Sequence, residues 1–149
     1  MPRTPSEILQ DVGTILLVDW PARVVPDTLT RAGFSVFDHG GPEPDNYNAF
    51  ELLGVEVARR PLGRRPDHAD LVFTHRPSEE LAAIVASARE LGARAFWWHT
   101  GLDTGGEANP AGCWAPDDEA SAARDLAEAA GLEYVGDVYI LDALAELPR

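Results

Sequence analysis

A chain of 149 residues fits one domain and is long enough to bury about two thirds of its unfolded surface. Its 25 acidic residues outnumber its 12 basic ones, all of them arginine, and the formal charge of −13 excludes a non-specific nucleic-acid binder, which a polyanion would repel. No apolar run reaches the ~18 to 20 residues of a membrane span, and the single Cys113 excludes an internal disulfide, in keeping with a reducing compartment.

The opening Met-Pro-Arg-Thr-Pro-Ser-Glu lacks the charged-then-apolar layout of a secretory leader, so a cytoplasmic location is expected. Thr14 to Val18 reads as a first buried strand, followed by a turn at Trp20-Pro21-Ala22-Arg23 and a helix from Val24 to Ala32. Pro26 is tolerated in the first turn of that helix, and Gly33 stops it. Phe34 to Phe37 is a second strand. Asp38 to Asn48, rich in Gly, Pro, Asp and Asn, reads as a long loop, and Glu51 to Ala58 contains a short third strand. Leu71 to Phe73 is a fourth strand. It leads into a helix with apolar positions at Leu81, Ile84, Val85, Ala88 and Leu91, then into the apolar run ending at Trp97-Trp98, a βαβ unit. Trp97 and Trp98 are adjacent and so face opposite sides of the sheet. Gly101 to Pro116 is a second irregular loop. Pro116-Asp117-Asp118-Glu119 opens a helix whose acids oppose its dipole and which ends at Gly131; Leu132 to Val135 is a last short strand, and Tyr139 to Leu147 a terminal helix.

These elements define an α/β fold: one doubly wound parallel sheet of about five strands in the order 3-2-1-4-5, with flanking helices, spanning residues 1–149 with its core at about 12–142. Open sheets of this kind bind ligands at the carboxyl ends of their strands, which places His75-Arg76-Pro77 and His99-Thr100-Gly101 at a ligand edge. Arg59, Arg60, Arg64 and Arg65 crowd into seven residues. They suit a small phosphorylated ligand by their planar forks, or serve as surface cations balancing nearby acids.

The runs Ile15-Leu16-Leu17-Val18, Arg31-Ala32-Gly33-Phe34-Ser35-Val36-Phe37, Ala69-Asp70-Leu71-Val72-Phe73, Arg76-Pro77-Ser78-Glu79-Glu80, Glu90-Leu91-Gly92-Ala93-Arg94-Ala95-Phe96-Trp97 and Ala130-Gly131-Leu132-Glu133-Tyr134-Val135 occur in an order that resembles the small CoA-binding domain proteins, whose domain also forms the N-terminal half of the succinyl-CoA synthetase alpha subunit. The resemblance implies a Rossmann-like sheet with coenzyme A or acyl-CoA across its strand ends, the adenosine diphosphate part included. Carried over by position, Asp19, Trp20, Pro21 and Arg23 match the phosphate turn, Asp38-His39-Gly40 the adenosine position, and His75-Arg76-Pro77 and His99-Thr100-Gly101 the remaining loops. The implied ligand set is Trp20, Arg23, His39, Gly40, His75, Arg76, Pro77, Thr100 and Gly101, with Arg23 and Arg76 on phosphates. Asp19-Trp20-Pro21 stands where the family has small residues, and Val138-Tyr139 where it often has Arg-Cys.

The expected function is therefore non-catalytic binding of a small nucleotide-containing ligand, with no metal, nucleic acid or membrane as partner. Two other readings stand beside it. Asp19, His39, His75 and His99 follow four strands and could converge as metal ligands, and Cys113 could act as a nucleophile with His99 as base; either would make a small hydrolase. Alternatively, Asp19 and Trp20 mark an interaction module that has kept the fold and lost the ligand.

Overall fold

The computed structural model describes residues 3–18, 23–40, 45–109 and 111–147. Among these described residues seven strands form one sheet: β1 (Thr14–Val18), β2 (Ser35–His39), β3 (Tyr47–Leu53), β4 (Glu56–Pro61), β5 (Leu71–Thr74), β6 (Ala95–Trp98) and β7 (Glu133–Val135), in the order β4-β3-β2-β1-β5-β6-β7. β2, β1, β5, β6 and β7 are parallel neighbours, whereas β3 pairs antiparallel with β2 and with β4. The sheet is thus mixed and seven-stranded, not a parallel sheet of five.

The difference lies in residues 38–61. The expected long loop is shorter than Asp38 to Asn48, because β2 runs on to His39 and β3 begins at Tyr47. The single short third strand is a hairpin that turns at Gly54, whose φ of 66° is open to glycine at no steric cost. Apolar alternation is weak there: Leu52, Leu53 and Val55 are exposed and β4 carries Arg59 and Arg60, so the period-2 signal of a half-buried strand is lost.

Helices cover both faces. Ile15 and Leu17 of β1, Phe73 of β5 and Trp97 of β6 pack on one side with α1 (Pro5–Gln10), α2 (Val24–Arg31) and α5 (Ile140–Ala145). Leu16, Val72, Phe96 and Trp98 pack on the other with α3 (Leu81–Glu90) and α4 (Asp117–Ala129). Successive strand residues thus separate into two cores, as the pleat requires, and Trp97 and Trp98 fall on opposite faces, both buried. Each indole finds an acceptor: Trp97 Nε1 donates to the Val138 carbonyl at 2.7 Å and Trp98 Nε1 to the Arg76 carbonyl at 2.9 Å. α1 is an element that the sequence pattern did not announce. Its start is a capping box, with Thr4 Oγ1 accepting from the Glu7 N–H and the Glu7 carboxylate accepting from the Thr4 N–H.

The parallel register aligns the strand ends. Val18 lies opposite both His39 and Thr74, and Thr74 opposite Trp98, so the segments leaving β1, β2, β5 and β6 emerge side by side on the carboxyl edge.

Candidate functional site

Two loops build the middle of this edge. After β5, Thr74 Oγ1 accepts from the Arg76 N–H at 3.1 Å, and the indole of Trp98 grips the Arg76 carbonyl, which fixes the His75-Arg76-Pro77 backbone over the β6 end. After β6, the His99 carbonyl lies 3.2 Å from His75 Nδ1. Gly101 has φ 72°, and a Cβ there would sit 2.5 Å from His75 Cε1, so only glycine allows the two loops to approach this closely.

Between these loops and the start of α4 lies a cleft of about 330 Å³. His75, Arg76, Pro77, Ser78 and Thr100 line it beside Trp98, Leu102, Trp114 and Pro116, with Glu79 and Glu119 completing the wall. Ser78 Oγ donates to Glu119 Oε1 at 2.8 Å, tying the 3-10 turn Ser78–Glu80 that leads into α3 to the first turn of α4. The cleft therefore has an apolar body, a cationic corner at Arg76 and an acidic far end. The Arg76 guanidinium is half-exposed and forked on Glu80, with Nε 3.1 Å from Oε2.

The other expected ligand residues divide by position. His39 is at the end of β2, stacked on Tyr47 with ring centroids 4.2 Å apart and planes 8° from parallel. The Gly40 N–H donates to the Asn46 carbonyl at 3.0 Å, and Asn46 Nδ2 returns a bond to the Gly40 carbonyl, closing the loop between β2 and β3. Arg23, at the start of α2, is directed to the hairpin: it donates to Asp27 Oδ1 and to the Val57 carbonyl, each at 3.0 Å, and lies 5.2 Å over the Phe50 ring. His75, Arg76, Pro77 and Thr100 are thus brought together on one cleft with Gly101 beside them, while Arg23 belongs to a different wall of the edge. Asp19, Trp20 and Pro21 lie outside the described residues.

The crowded arginines are all matched to acids. Arg59 pairs with the buried Asp38 at 3.3 Å, Arg60 with Glu51 at 2.8 Å, Arg64 with Asp67 at 3.6 Å and Arg65 with Glu90 at 2.8 Å. Asp38 also accepts from Asn48 Nδ2 at 2.8 Å. This triad of Asp38, Asn48 and Arg59 is hidden from the sequence because its members lie on three strands whose pairing depends on the hairpin.

The pairing of His99 with Cys113 is met in space. Nδ1 of the buried His99 lies 3.0 Å from Cys113 Sγ. The loop that delivers the cysteine is stapled to itself: the Gly101 N–H donates to the Gly112 carbonyl at 2.9 Å and the Trp114 N–H to the Leu102 carbonyl at 3.0 Å. A Cβ on Gly112 would lie 2.3 Å from the Leu102 carbonyl oxygen, so glycine is required immediately before the cysteine. Burial, then the nearby Asp137 and Asp142 carboxylates, push the Cys113 thiol up to about 12, so it is held as a thiol at neutral pH. Burial, followed by Asp142 and the same sulfur, raises Tyr139. Among the described residues no group of three His, Cys, Asp or Glu side chains is arranged to hold a metal ion.

A mixed, doubly wound sheet with a cleft at the carboxyl ends of its parallel strands defines a Rossmann-like α/β domain. The chain belongs to the CoA binding domain family, which matches it over residues 12–141. No curated protein matches it. Among solved structures it is similar to Prb, the PH1109 protein redesigned for binding, at 20% identity and a TM-score of 0.63, over 96% of this chain and 89% of that one. It is also similar to a hypothetical protein from Pyrococcus horikoshii OT3, at 20% identity and a TM-score of 0.60, over 99% of this chain and 96% of that one. At this identity the two likenesses establish the shared fold.

Proposed function

We propose that the protein binds coenzyme A, an acyl-CoA or a related adenine nucleotide at the carboxyl edge of its sheet, as a carrier or sensor with no turnover of its own. The observation that carries this reading is the cleft of about 330 Å³ at the β5 and β6 ends in a chain of the CoA binding domain family. Arg76 would hold a phosphate, with Arg23 reaching a second one by exchanging Asp27 for it. His39 and Gly40, with Trp20, would surround the adenosine. His75, Pro77, Thr100 and Gly101 would line the rest. The apolar body of the cleft, closed by Trp98, Leu102 and Trp114, suits the neutral pantetheine arm, and its acidic far end discourages a further phosphate.

Thermal unfolding of refolded, ligand-stripped protein against CoA, acetyl-CoA, ATP, ADP and NAD tests the reading. A ligand that binds only the native state stabilises it by about 2.7 kcal/mol at a hundred times its Kd. The expected result is a concentration-dependent rise in midpoint with CoA and its thioesters that exceeds the rise with ADP. No response to any nucleotide would overturn the proposal and favour a fold that has lost its ligand.

A further inference from the structure

We propose that Cys113, with His99 as its base, is a reversible acyl acceptor that takes the acyl group from a coenzyme A thioester. The proposal rests on the coenzyme A reading above and adds a covalent step to it. His99 is fixed in place beside the sulfur: the residue is 1% exposed, its ring packs between those of Phe73, His75 and Tyr139, with centroids 6.0, 5.6 and 5.4 Å away, and its Nδ1 is 3.0 Å from Sγ. Cys113 lines a second cavity of about 580 Å³, and Leu102 and Trp114 line both this cavity and the first cleft. Leu102 and Trp114, joined by the Trp114 N–H to the Leu102 carbonyl, are thus the wall that a flexible arm laid in the first cleft would have to pass to reach Cys113. Asp103, Asp137 and Asp142 line the second cavity. They exclude phosphates and admit a neutral thioester end, so the anionic part of the ligand stays at the Arg76 side.

The half-buried thiol is not a nucleophile until it loses its proton; Sγ lies 3.0 Å from His99 Nδ1 and 3.9 Å from the Ala111 carbonyl oxygen, so Nδ1 is the nearer group and the one that can carry the proton away. As Sγ adds to the thioester carbonyl carbon, Nδ1 takes the thiol proton. The bond from that carbon to the sulfur of coenzyme A then breaks, and the imidazolium returns the proton to the departing thiolate. One thioester is exchanged for another and no electrons are transferred, so the step is reversible. The acylated fraction of the protein then follows the ratio of acyl-CoA to free CoA, which is the property of a sensor.

The composition makes the test unambiguous, because the chain has one cysteine and no lysine. The protein is incubated with acetyl-CoA and, separately, with the acetyl thioester of N-acetylcysteamine, which carries no nucleotide, and intact mass is followed, while binding of free CoA is measured in parallel by thermal unfolding. With acetyl-CoA the expected result is one acetyl group on the wild type, removed by neutral hydroxylamine and by a large excess of free CoA, and none on Cys113→Ser. His99→Gln should slow labelling by about a hundredfold, the usual contribution of a positioned base. If CoA raises the unfolding midpoint and neither donor acylates the protein, the acyl-acceptor proposal falls and the binding reading stands. If the N-acetylcysteamine thioester labels Cys113 while CoA neither binds nor donates, the binding reading falls, and with it the coenzyme A donor. Acetyl labelling that survives in Cys113→Ser overturns the assignment to this sulfur, and unchanged labelling in His99→Gln removes His99 as the base.

Discussion

Arg76 is the cation whose position tests the ligand reading most directly. Its backbone is clamped by Thr74 and Trp98, so the side chain starts from a fixed point at the cleft corner, and it rests on the exposed Glu80, a partner that surface screening makes cheap to leave. Arg76→Ala is expected to weaken CoA binding by about 1.5 to 3 kcal/mol, roughly ten- to hundredfold, the scale of one charge-assisted hydrogen bond. Arg23→Ala should cost less, because Arg23 is engaged by Asp27 and by the Val57 carbonyl on the hairpin wall and must surrender both. Calorimetric titration of the two single variants and the double variant checks this, and wild-type affinity in the double variant would remove both phosphate roles. At this scale the sequence was readable wherever a residue ended a parallel strand, since His39, His75 and His99 all emerge on the carboxyl edge as expected. It was not readable where a loop conformation sets the distance. His99 and Cys113 meet only because Gly101 and Gly112 let the intervening loop close on itself, and Arg23 turns to the hairpin because β3 and β4 exist there.

Among the elements, β1 and β5 are joined at their starting ends by one carboxylate. Asp70 Oδ2 accepts from the Gly13 N–H at 2.8 Å and the Thr14 N–H at 3.0 Å, while Oδ1 faces His68 Nε2 at 2.7 Å. Burial alone would raise this carboxyl. The Gly13 N–H, the His68 ring and the Thr14 N–H together outweigh that and hold it below the ordinary carboxylate value. A depressed native pKa contributes stability that is complete above the unfolded value of about 3.9 and is lost as pH falls through the native one. Asp70→Asn should therefore lower the unfolding midpoint at neutral pH, by an amount corresponding to about 1 to 3 kcal/mol, and the gap from wild type should narrow below pH ~4. Parallel acid-limb melts measure it, and a gap independent of pH would refute the linkage. The elements themselves were legible in proportion to their apolar periodicity. The strands β1, β5 and β6 and the helices α2, α3, α4 and α5 carry continuous or helical-period apolar positions and stand close to where the pattern puts them. The hairpin hides behind exposed leucines and paired arginines, and α1 is too short for a periodicity to register, though its Thr4 and Glu7 capping box was there to be read.

For the whole molecule the charge of −13 is the dominant long-range influence. The arginines are spent locally, each of the crowded four on its own carboxylate, so the excess acids repel one another without compensation beyond the first contact. Salt acts unequally on attraction and repulsion: it weakens exposed pairs that are each worth about 0.2 to 1 kcal/mol, and it shortens the reach of the net repulsion from ~30 Å at 0.01 M to ~8 Å at 0.15 M. Because 25 acids face 12 bases, repulsion outweighs pairing, and the unfolding midpoint should rise between these two salt concentrations. The same imbalance bears on a multiply anionic ligand such as coenzyme A. The proposed contact with Arg76 would act at one exposed cation, while the approach of the ligand is opposed by the whole acidic surface, so on that proposal its affinity should hold steady or increase over the same range, the reverse of a protein that captures phosphates with a basic face. Titrations at the two ionic strengths decide between them: a drop of about tenfold in affinity at the higher salt would mean that a positive patch, not Arg76 and Arg23 each set beside its own carboxylate in an acidic protein, draws the ligand in.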